Sequence, residues 1–205
     1  MTGDAQCSIA DMSAAELAER HALASLAGPL ISKMVTGNYS TTQYHTWVVA
    51  LHEAAHAAVA TALGIRLKEV SVVPDSDSLG HCTYRRSYNT EPSSKPISHS
   101  DSWSAVRMSW LSLSLDEPRG WREVRRHLRH LRQRARNLVL GEWYPIHCLA
   151  DALRERSTLT GEEAEAILDG ARREFASHVP AAALATRDGA GGSVEGAEYA
   201  NNAVA

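Results

Sequence analysis

The stretch VVALHEAAHAAVATALG, residues 48–64, constrains the fold of this chain more than any other feature. It is rich in alanine and contains no proline, so it predicts a helix over about 44–63 with Gly64 at its C-terminal cap. On such a helix His52 and His56 are stacked neighbours, and both imidazoles share one face. Because the flanks are apolar, the helix should be buried, where ionisable side chains are costly unless a bound cation or another partner satisfies them. The alternative is a soluble helix with two surface histidines.

Composition excludes several classes of protein. The 205 residues carry a formal charge of -3, so overall charge argues against a nucleic-acid-binding protein. No run approaches the roughly 18 apolar residues that cross a bilayer. The first residues are acidic and polar where a signal peptide needs a basic end and an apolar core, so we expect a cytoplasmic protein. Cys7, Cys82 and Cys148 are odd in number and widely spaced, which argues against a disulfide framework.

The residues on either side of the motif predict a short sheet between helices. Residues 13–35 have helical character, with a break expected near Gly28-Pro29. Residues 65–74 alternate well enough for a strand, and after a turn over 75–80, residues 81–88 could form the returning strand. The inward positions of the first strand are predicted to be Leu67, Val70 and Val72.

A long helix with a basic surface is predicted from about 120 to 140. Its apolar residues recur at spacings of 4 and 3, namely Trp121, Val124, Leu128, Leu131, Ala135 and Leu138. Arginines occupy the faces that this stripe leaves free: Arg119, Arg122, Arg125, Arg126, Arg129, Arg132, Arg134 and Arg136. A solvated face is the ordinary explanation, and a surface for nucleic acid or an acidic partner is the functional alternative. Before this helix, residues 89–101 resemble a loop and residues 102–115 a short helix.

The C-terminal part predicts a helical pair followed by a tail. The two helices cover about 144–157 and 160–178. Thr160, with Glu163 three residues later, predicts a capping box at the start of the second helix. From about Pro180 the chain is rich in alanine and glycine without periodicity, which predicts disorder.

Two patches of the sequence resemble the peptidase domain of FtsH-type (AAA-protease) zinc metallopeptidases. They are residues 52–84, HEAAHAAVATALGIRLKEVSVVPDSDSLGHCTY, and residues 149–168, LADALRERSTLTGEEAEAIL, with that family's Thr-Leu-x-Gly-Glu junction. The family usually has glycine where Ala55 stands. It also carries a helix with an Ala-Gly-x-x-Ala-Glu signature between the strands and the third zinc ligand, which we do not find here. No G-x-x-x-x-G-K-[ST] motif occurs, so the ATPase module that accompanies this peptidase is expected to be absent.

The motif supplies most of a catalytic zinc site. Such a site uses three protein ligands and one water, and neutral His52 and His56 would provide two nitrogens to Zn²⁺. Glu53, beside the first ligand, would act as the general base for metal-activated water. An extended H-E-x-x-H-x-x-G-x-x-H motif is excluded, because Val59 and Ala62 stand at its glycine and histidine positions.

The assignment of the third zinc ligand rests on the resemblance, which implies an aspartate at the start of a later helix. Asp101 fits this description, although an aspartate there could instead cap the helix, and the two roles are compatible. Asp116 or Glu117 is the second choice. His99 and His81 are further options, each more often an ordinary loop or surface histidine.

The sequence therefore predicts an α+β, mostly helical protein with a zincin-like motif helix, a short β-sheet and a C-terminal helical bundle. Its parts would be an N-terminal helical segment and loop (1–43), a zinc peptidase-like domain (44–178) and a disordered tail (179–205). The expected function is zinc-dependent hydrolysis of peptide bonds in unfolded segments, with a separate unfoldase or a homo-oligomer as partner. The alternative is a degenerate peptidase-like binding or regulatory protein that has a structural zinc and uses its Arg-rich helix for interaction.

Overall fold

The computed structural model describes residues 13–37, 46–74, 78–85 and 121–178. Within them the chain has the predicted α+β, mostly helical architecture. In chain order the elements are α1 (Ala14–Thr36), α2 (Thr46–Ala62), β1 (Leu67–Ser71), β2 (His81–Tyr84), α3 (Trp121–Gly141), α4 (Trp143–Arg156), β3 (Thr158–Thr160) and α5 (Gly161–His178).

The motif helix α2 lies at the centre of the core. Every residue from 48 to 60 is buried, because α1, α4 and the sheet pack around it. The predicted glycine cap is confirmed, since Gly64 has a left-handed φ of 80°. The N–H groups of Gly64 and Ile65 each donate at 2.9 Å, to the carbonyls of Thr61 and Ala60. This Schellman arrangement ends the helix without strain, because glycine has no Cβ to clash in the left-handed region.

Two arginines bind carbonyl groups in the last turns of α2. Arg20 of α1 donates to Leu63 O at 2.6 Å, and Arg172 of α5 donates to Ala58 O at 3.0 Å. Cations are favourable here, because the C-terminal end of a helix carries partial negative charge. Glu142 accepts from Arg172 Nε at 2.9 Å. Burial raises the pKa of Glu142, although the positive charge of Arg172 and its hydrogen bond act to lower that pKa.

Helix α1 is continuous, so the predicted break near Gly28-Pro29 is wrong. Pro29 lies inside a helix that begins after the N-cap Ser13 and ends at Gly37. A proline in a helix interior typically costs about 3 kcal/mol, because it removes one hydrogen bond and crowds the preceding turn. Here the apolar residues on either side of Gly28-Pro29, including Ala27 and Ile31, are fully buried in the core. Tertiary packing therefore outweighs the local preference to break.

The three strands form an antiparallel sheet of order β2-β1-β3. The predicted pairing of the first two strands is confirmed, with Val70 opposite Cys82. A register shift between Leu67 and Glu69 allows Leu67 and Val70 both to be buried, although strict alternation would place them on opposite faces. The third strand was not predicted. It has three residues and pairs through Leu159 with Val70.

The junction between β3 and α5 contacts β1 closely. A Cβ atom added to Gly161 would overlap the carbonyl of Leu67, so only glycine fits there. The predicted capping box is confirmed, because Glu163 Oε2 accepts from the Thr160 N–H at 2.9 Å and the Glu163 N–H donates to Thr160 Oγ1 at 3.3 Å. The start of α5 is thus fixed both by its own cap and by the sheet.

The predicted long helix and C-terminal helical pair are confirmed as α3, α4 and α5. The buried stripe of α3 consists of Val124, Leu128, Leu131, Ala135 and Val139. The short helix predicted at 102–115 and the tail from Pro180 lie outside the described residues, as does the predicted start of α2 at Tyr44. Within the described ranges, no helix is both long and apolar enough to cross a bilayer.

Candidate metal centre

The three motif residues are buried together on α2. His52, Glu53 and His56 are only 8%, 7% and 5% exposed. The two imidazoles, one turn apart, have ring centroids 4.8 Å apart and planes inclined at 76°. The predicted shared face of the two histidines is therefore confirmed, and the alternative of two surface histidines is wrong.

Helix α1 holds both rings at their Nδ1 atoms. His56 Nδ1 lies 2.7 Å from the carbonyl oxygen of Ala24, and His52 Nδ1 lies 2.9 Å from the Ser32 hydroxyl. A carbonyl can only accept, so His56 Nδ1 carries the proton and the neutral ring has its lone pair at Nε2. A hydrogen bond at one ring nitrogen is the usual support of a histidine that binds metal through the other.

Both imidazole rings approach one backbone position of α1. A Cβ atom added to Gly28 would lie 2.6 Å from both Cδ2 and Nε2 of His52, and closer still to Nε2 of His56. Ala24, Gly28 and Ser32 follow one another at intervals of four, so they form one stripe of α1. The outer two contact the rings at Nδ1, and the glycine between them lets the helix backbone approach the opposite edges of the rings.

These residues fit part of a zinc site. Two imidazoles that lie one turn apart and are hydrogen-bonded at Nδ1 provide nitrogen donors of the kind that zinc prefers. Among the described residues, no group of three His, Cys, Asp or Glu side chains could hold a metal ion. The predicted third ligand Asp101 lies outside the described residues, as do Asp116, Glu117 and His99.

His81, the weaker alternative ligand in the described part of the chain, is engaged elsewhere. It lies on β2, where its Nε2 is 2.9 Å from Oε1 of Glu69 on the neighbouring strand. The structure does not bring His81 into a metal-binding group with His52 and His56.

Glu53 lies beside the turn that leads into β2. A Cβ atom added to Gly80 would be 3.0 Å from Cγ of Glu53 and 2.8 Å from the carbonyl oxygen of Ser71. Gly80 is buried, while Leu79 before it is 39% exposed. The absence of a side chain at position 80 therefore lets the backbone of Gly80 approach the side chain of Glu53.

Sequence reasoning did not identify the contribution of α1 to this site. Composition alone predicts an ordinary helix at Ala24 and Ser32 and a break at Gly28. The available signal was the interval of four between three small residues, which allows a second helix to approach closely.

Comparison with known proteins adds no relative. No protein-family model matches the chain, and a search of curated proteins finds no significant match.

Proposed function

We propose that this protein is a zinc-dependent metallopeptidase, similar to the peptidase domain of FtsH-type proteases, that hydrolyses peptide bonds of unfolded segments. The observation that carries the proposal is the burial of His52, Glu53 and His56 on α2, with the two imidazole rings one turn apart and both Nδ1 atoms hydrogen-bonded to α1. On a buried helix the H-E-x-x-H pattern indicates a metal ion that is bound by the two histidines.

The proposed ligands are His52 and His56 through Nε2, with Asp101 as the third. Zinc bound there would polarise the scissile carbonyl and favour ionisation of the attacking water. The Ala24 carbonyl selects the tautomer of His56 that leaves Nε2 free to donate its electron pair, and the Ser32 hydroxyl orients the ring of His52 at Nδ1.

Glu53 is the proposed general base. As a carboxylate next to the ligand pair, it would accept a proton from the attacking water and return it to the leaving amine. The side chain of Glu53 lies against Gly80, so in this proposal the residues just before β2 would border the reacting groups. A peptide segment would need an extended conformation to reach them, which restricts substrates to unfolded chain.

Helix α1 is the proposed counterpart of the helix that the resemblance leads us to expect after the strands. That helix has an Ala-Gly-x-x-Ala-Glu signature, and α1 contains Ala27-Gly28-Pro29-Leu30-Ile31-Ser32, which keeps the Ala-Gly pair and differs at the last two positions. In this chain the helix precedes the motif instead of following the second strand. Ser32, at the position of the glutamate, is the residue that contacts His52.

The partners that follow from this function are a polypeptide substrate and, for folded substrates, a separate unfoldase. A homo-oligomer is compatible with the proposal. We place the activity in the cytoplasm. Because the sequence has no phosphate-binding loop, the protein by itself should cleave unstructured chains without ATP.

The test compares the wild type with Glu53→Gln on an unfolded substrate such as casein and on a stably folded protein. We expect the variant to retain zinc and lose casein hydrolysis by roughly 100-fold or more, because the geometry survives while proton transfer does not. Glu155→Gln, at an exposed position on α4, is the matched control and should keep full activity. Full activity in Glu53→Gln, or digestion of the folded protein, would contradict the proposal.

A structural zinc in a binding or regulatory protein is the second candidate. The observation that favours it is burial, since α1 covers the two Nε2 atoms and all three motif side chains are less than a tenth exposed. Wild-type protein that binds zinc stoichiometrically and does not hydrolyse casein at any ATP concentration would support this candidate over the first.

A further inference from the structure

The exposed surface of α3 concentrates positive charge in an otherwise acidic chain. Seven arginines and one glutamate give this helix a formal charge of +6, whereas the whole chain has -3. All seven side chains are exposed. Among these seven arginines, only Arg134 forms an ion pair with a described residue, which is Glu19 of α1. We call the other six the basic face of α3: Arg122, Arg125, Arg126, Arg129, Arg132 and Arg136.

The arrangement of these arginines is unfavourable for the isolated protein. Arg125, Arg129, Arg132 and Arg136 follow one another at intervals of four, three and four, so their guanidinium groups lie in one row. Like charges at such spacings destabilise a helix by about 0.2–0.5 kcal/mol per pair. A face that served only to be solvated would relieve this repulsion by alternating acidic and basic residues, as Glu16 and Arg20 do on α1.

The choice of arginine indicates which class of partner the basic face binds. The basic face contains no lysine, and the planar guanidinium group binds phosphate oxygens with two parallel hydrogen bonds. The row from Arg125 to Arg136 spans about 17 Å at a helical rise of about 1.5 Å per residue. On a nucleic-acid duplex this length covers several consecutive phosphates, since each strand carries one charge per roughly 3.4 Å.

Other polyanions fit less well. A helix that lies on an anionic membrane needs an apolar face for the lipid, and the apolar face of α3 is buried in the core at Val124, Leu131 and Val139. Arginine also occurs in the hot spots of protein interfaces, but there it stands beside buried Trp and Tyr anchors. Among the α3 side chains that the structure describes, none that is exposed is Phe, Tyr or Trp, and Leu140 at the end is the one large apolar residue. Single strands also need aromatic side chains for stacking.

We propose that the basic face of α3 binds the phosphate backbone of double-stranded nucleic acid without reading its sequence. The overall charge of -3 argued against such a partner, but the fold segregates the charge and presents the arginines together. The binding is independent of the metal centre, because it uses only exposed side chains of α3.

The experiment measures binding of the full chain to a random-sequence DNA duplex by fluorescence anisotropy over a series of salt concentrations. Replacing Arg125, Arg129 and Arg132 together by Gln should weaken binding roughly 100-fold at about 0.1 M salt. It should also make the plot of log affinity against log salt less steep by about 2.7, because each lost phosphate contact reduces the steepness by about 0.9. The corresponding triple Lys variant keeps the charge and should retain most of the affinity. If it does, the loss of binding in the triple Gln variant comes from the lost charge and not from misfolding.

The matched control removes the same charge elsewhere, with Gln at Arg154, Arg156 and Arg173, which are exposed on α4 and α5. This triple variant should bind DNA nearly as the wild type does. Equal loss in both triple variants, or no binding of the duplex by the wild type at about 50 mM salt, would overturn the proposal. Tighter binding of poly-glutamate or of anionic lipid vesicles than of the duplex would also overturn it. A duplex RNA arm shows which nucleic acid binds more tightly.

Discussion

Replacing Gly28 by alanine should separate the role of this residue in the metal centre from its role in the helix. The new Cβ atom would lie 2.6 Å from His52 Nε2, whereas ordinary contact begins at 3.4 Å. The helices α1 and α2 would therefore have to move apart by about 0.8 Å or more, or the rings would have to turn. Neither adjustment is easy, because Ser32 and Ala24 hold the rings at Nδ1.

Two opposing effects determine how much Gly28→Ala changes the free energy of unfolding. Alanine is favoured over glycine inside a helix by about 1 kcal/mol. Overpacking a buried site typically costs about 1–3 kcal/mol, and a gap of this size removes a quarter to a half of the attraction between facing atoms. The free energy of unfolding should therefore fall by about 0–2 kcal/mol in Gly28→Ala. Zinc affinity should fall by at least roughly 100-fold, which is the upper end of outer-shell effects, because the Cβ atom would press on both rings at the edges that carry Nε2.

Gly170→Ala is the matched control for this prediction. Gly170 is also inside a helix, α5, but a Cβ atom added there meets nothing within 4 Å. This variant should gain about 1 kcal/mol in stability and bind zinc as the wild type does. Urea unfolding and elemental analysis after dialysis measure both quantities. If Gly28→Ala were stabilised like Gly170→Ala and kept its zinc, the proposed position of the metal centre would be wrong.

Three further predictions concern the ligands and the acid stability. Ser32→Ala should lower zinc affinity by about 10- to 100-fold, because His52 loses the partner of its Nδ1 atom. Asp101→Ala should lose zinc on dialysis while Asp116→Ala keeps it, as elemental analysis would show. The backbone hydrogen bond at the N-cap lowers the pKa of Glu163, so its stabilising effect should be present above the ordinary pKa and lost as pH falls through the lowered one. Glu163→Ala should accordingly lose less stability than the wild type between about pH 5 and pH 3 in urea unfolding.

Each of these predictions has an outcome that refutes it. Unchanged zinc affinity in Ser32→Ala would show that the serine has no positioning role. Loss of zinc in Asp116→Ala, with normal content in Asp101→Ala, would move the third ligand to the second choice. A parallel acid dependence of the wild type and Glu163→Ala would show that the capping carboxylate is not linked to folding in this pH range.

The parts of the fold that follow from neighbouring residues could be predicted from the sequence. The apolar flanks and the glycine after the motif predicted a buried helix with a left-handed cap, and His52 and His56 share a face simply because four residues make about one turn. The stripe of α3 follows from the same periodicity. These features depend on local spacing. The structure confirms the stripe from Val124 to Ala135, but the buried residue in its last turn is Val139, and the predicted Leu138 is only half-buried.

The features that depend on distant residues could not be predicted. Strand β3 has three residues and exists because Leu159 meets Val70, whose sequence neighbours give no sign of that pairing. The continuity of α1 through Pro29 depends on tertiary burial of its neighbours Ala27 and Ile31 in the core. Which face of α1 meets the histidines is likewise set by tertiary packing, so local preference alone predicts a helix break at Gly28.

The antiparallel contact of α1 with α2 has a consequence for the order of folding. The hydrogen bonds that hold the two imidazoles join residues only 20 and 32 positions apart. By contrast, Ser71 meets Thr158 at a separation of 87, and the Leu67 N–H meets Glu165 at a separation of 98. Contacts of short separation close small loops at low entropic cost and form early. The helical hairpin of α1 and α2 can therefore enclose the two imidazoles before the ribosome has synthesised the residues that complete the sheet.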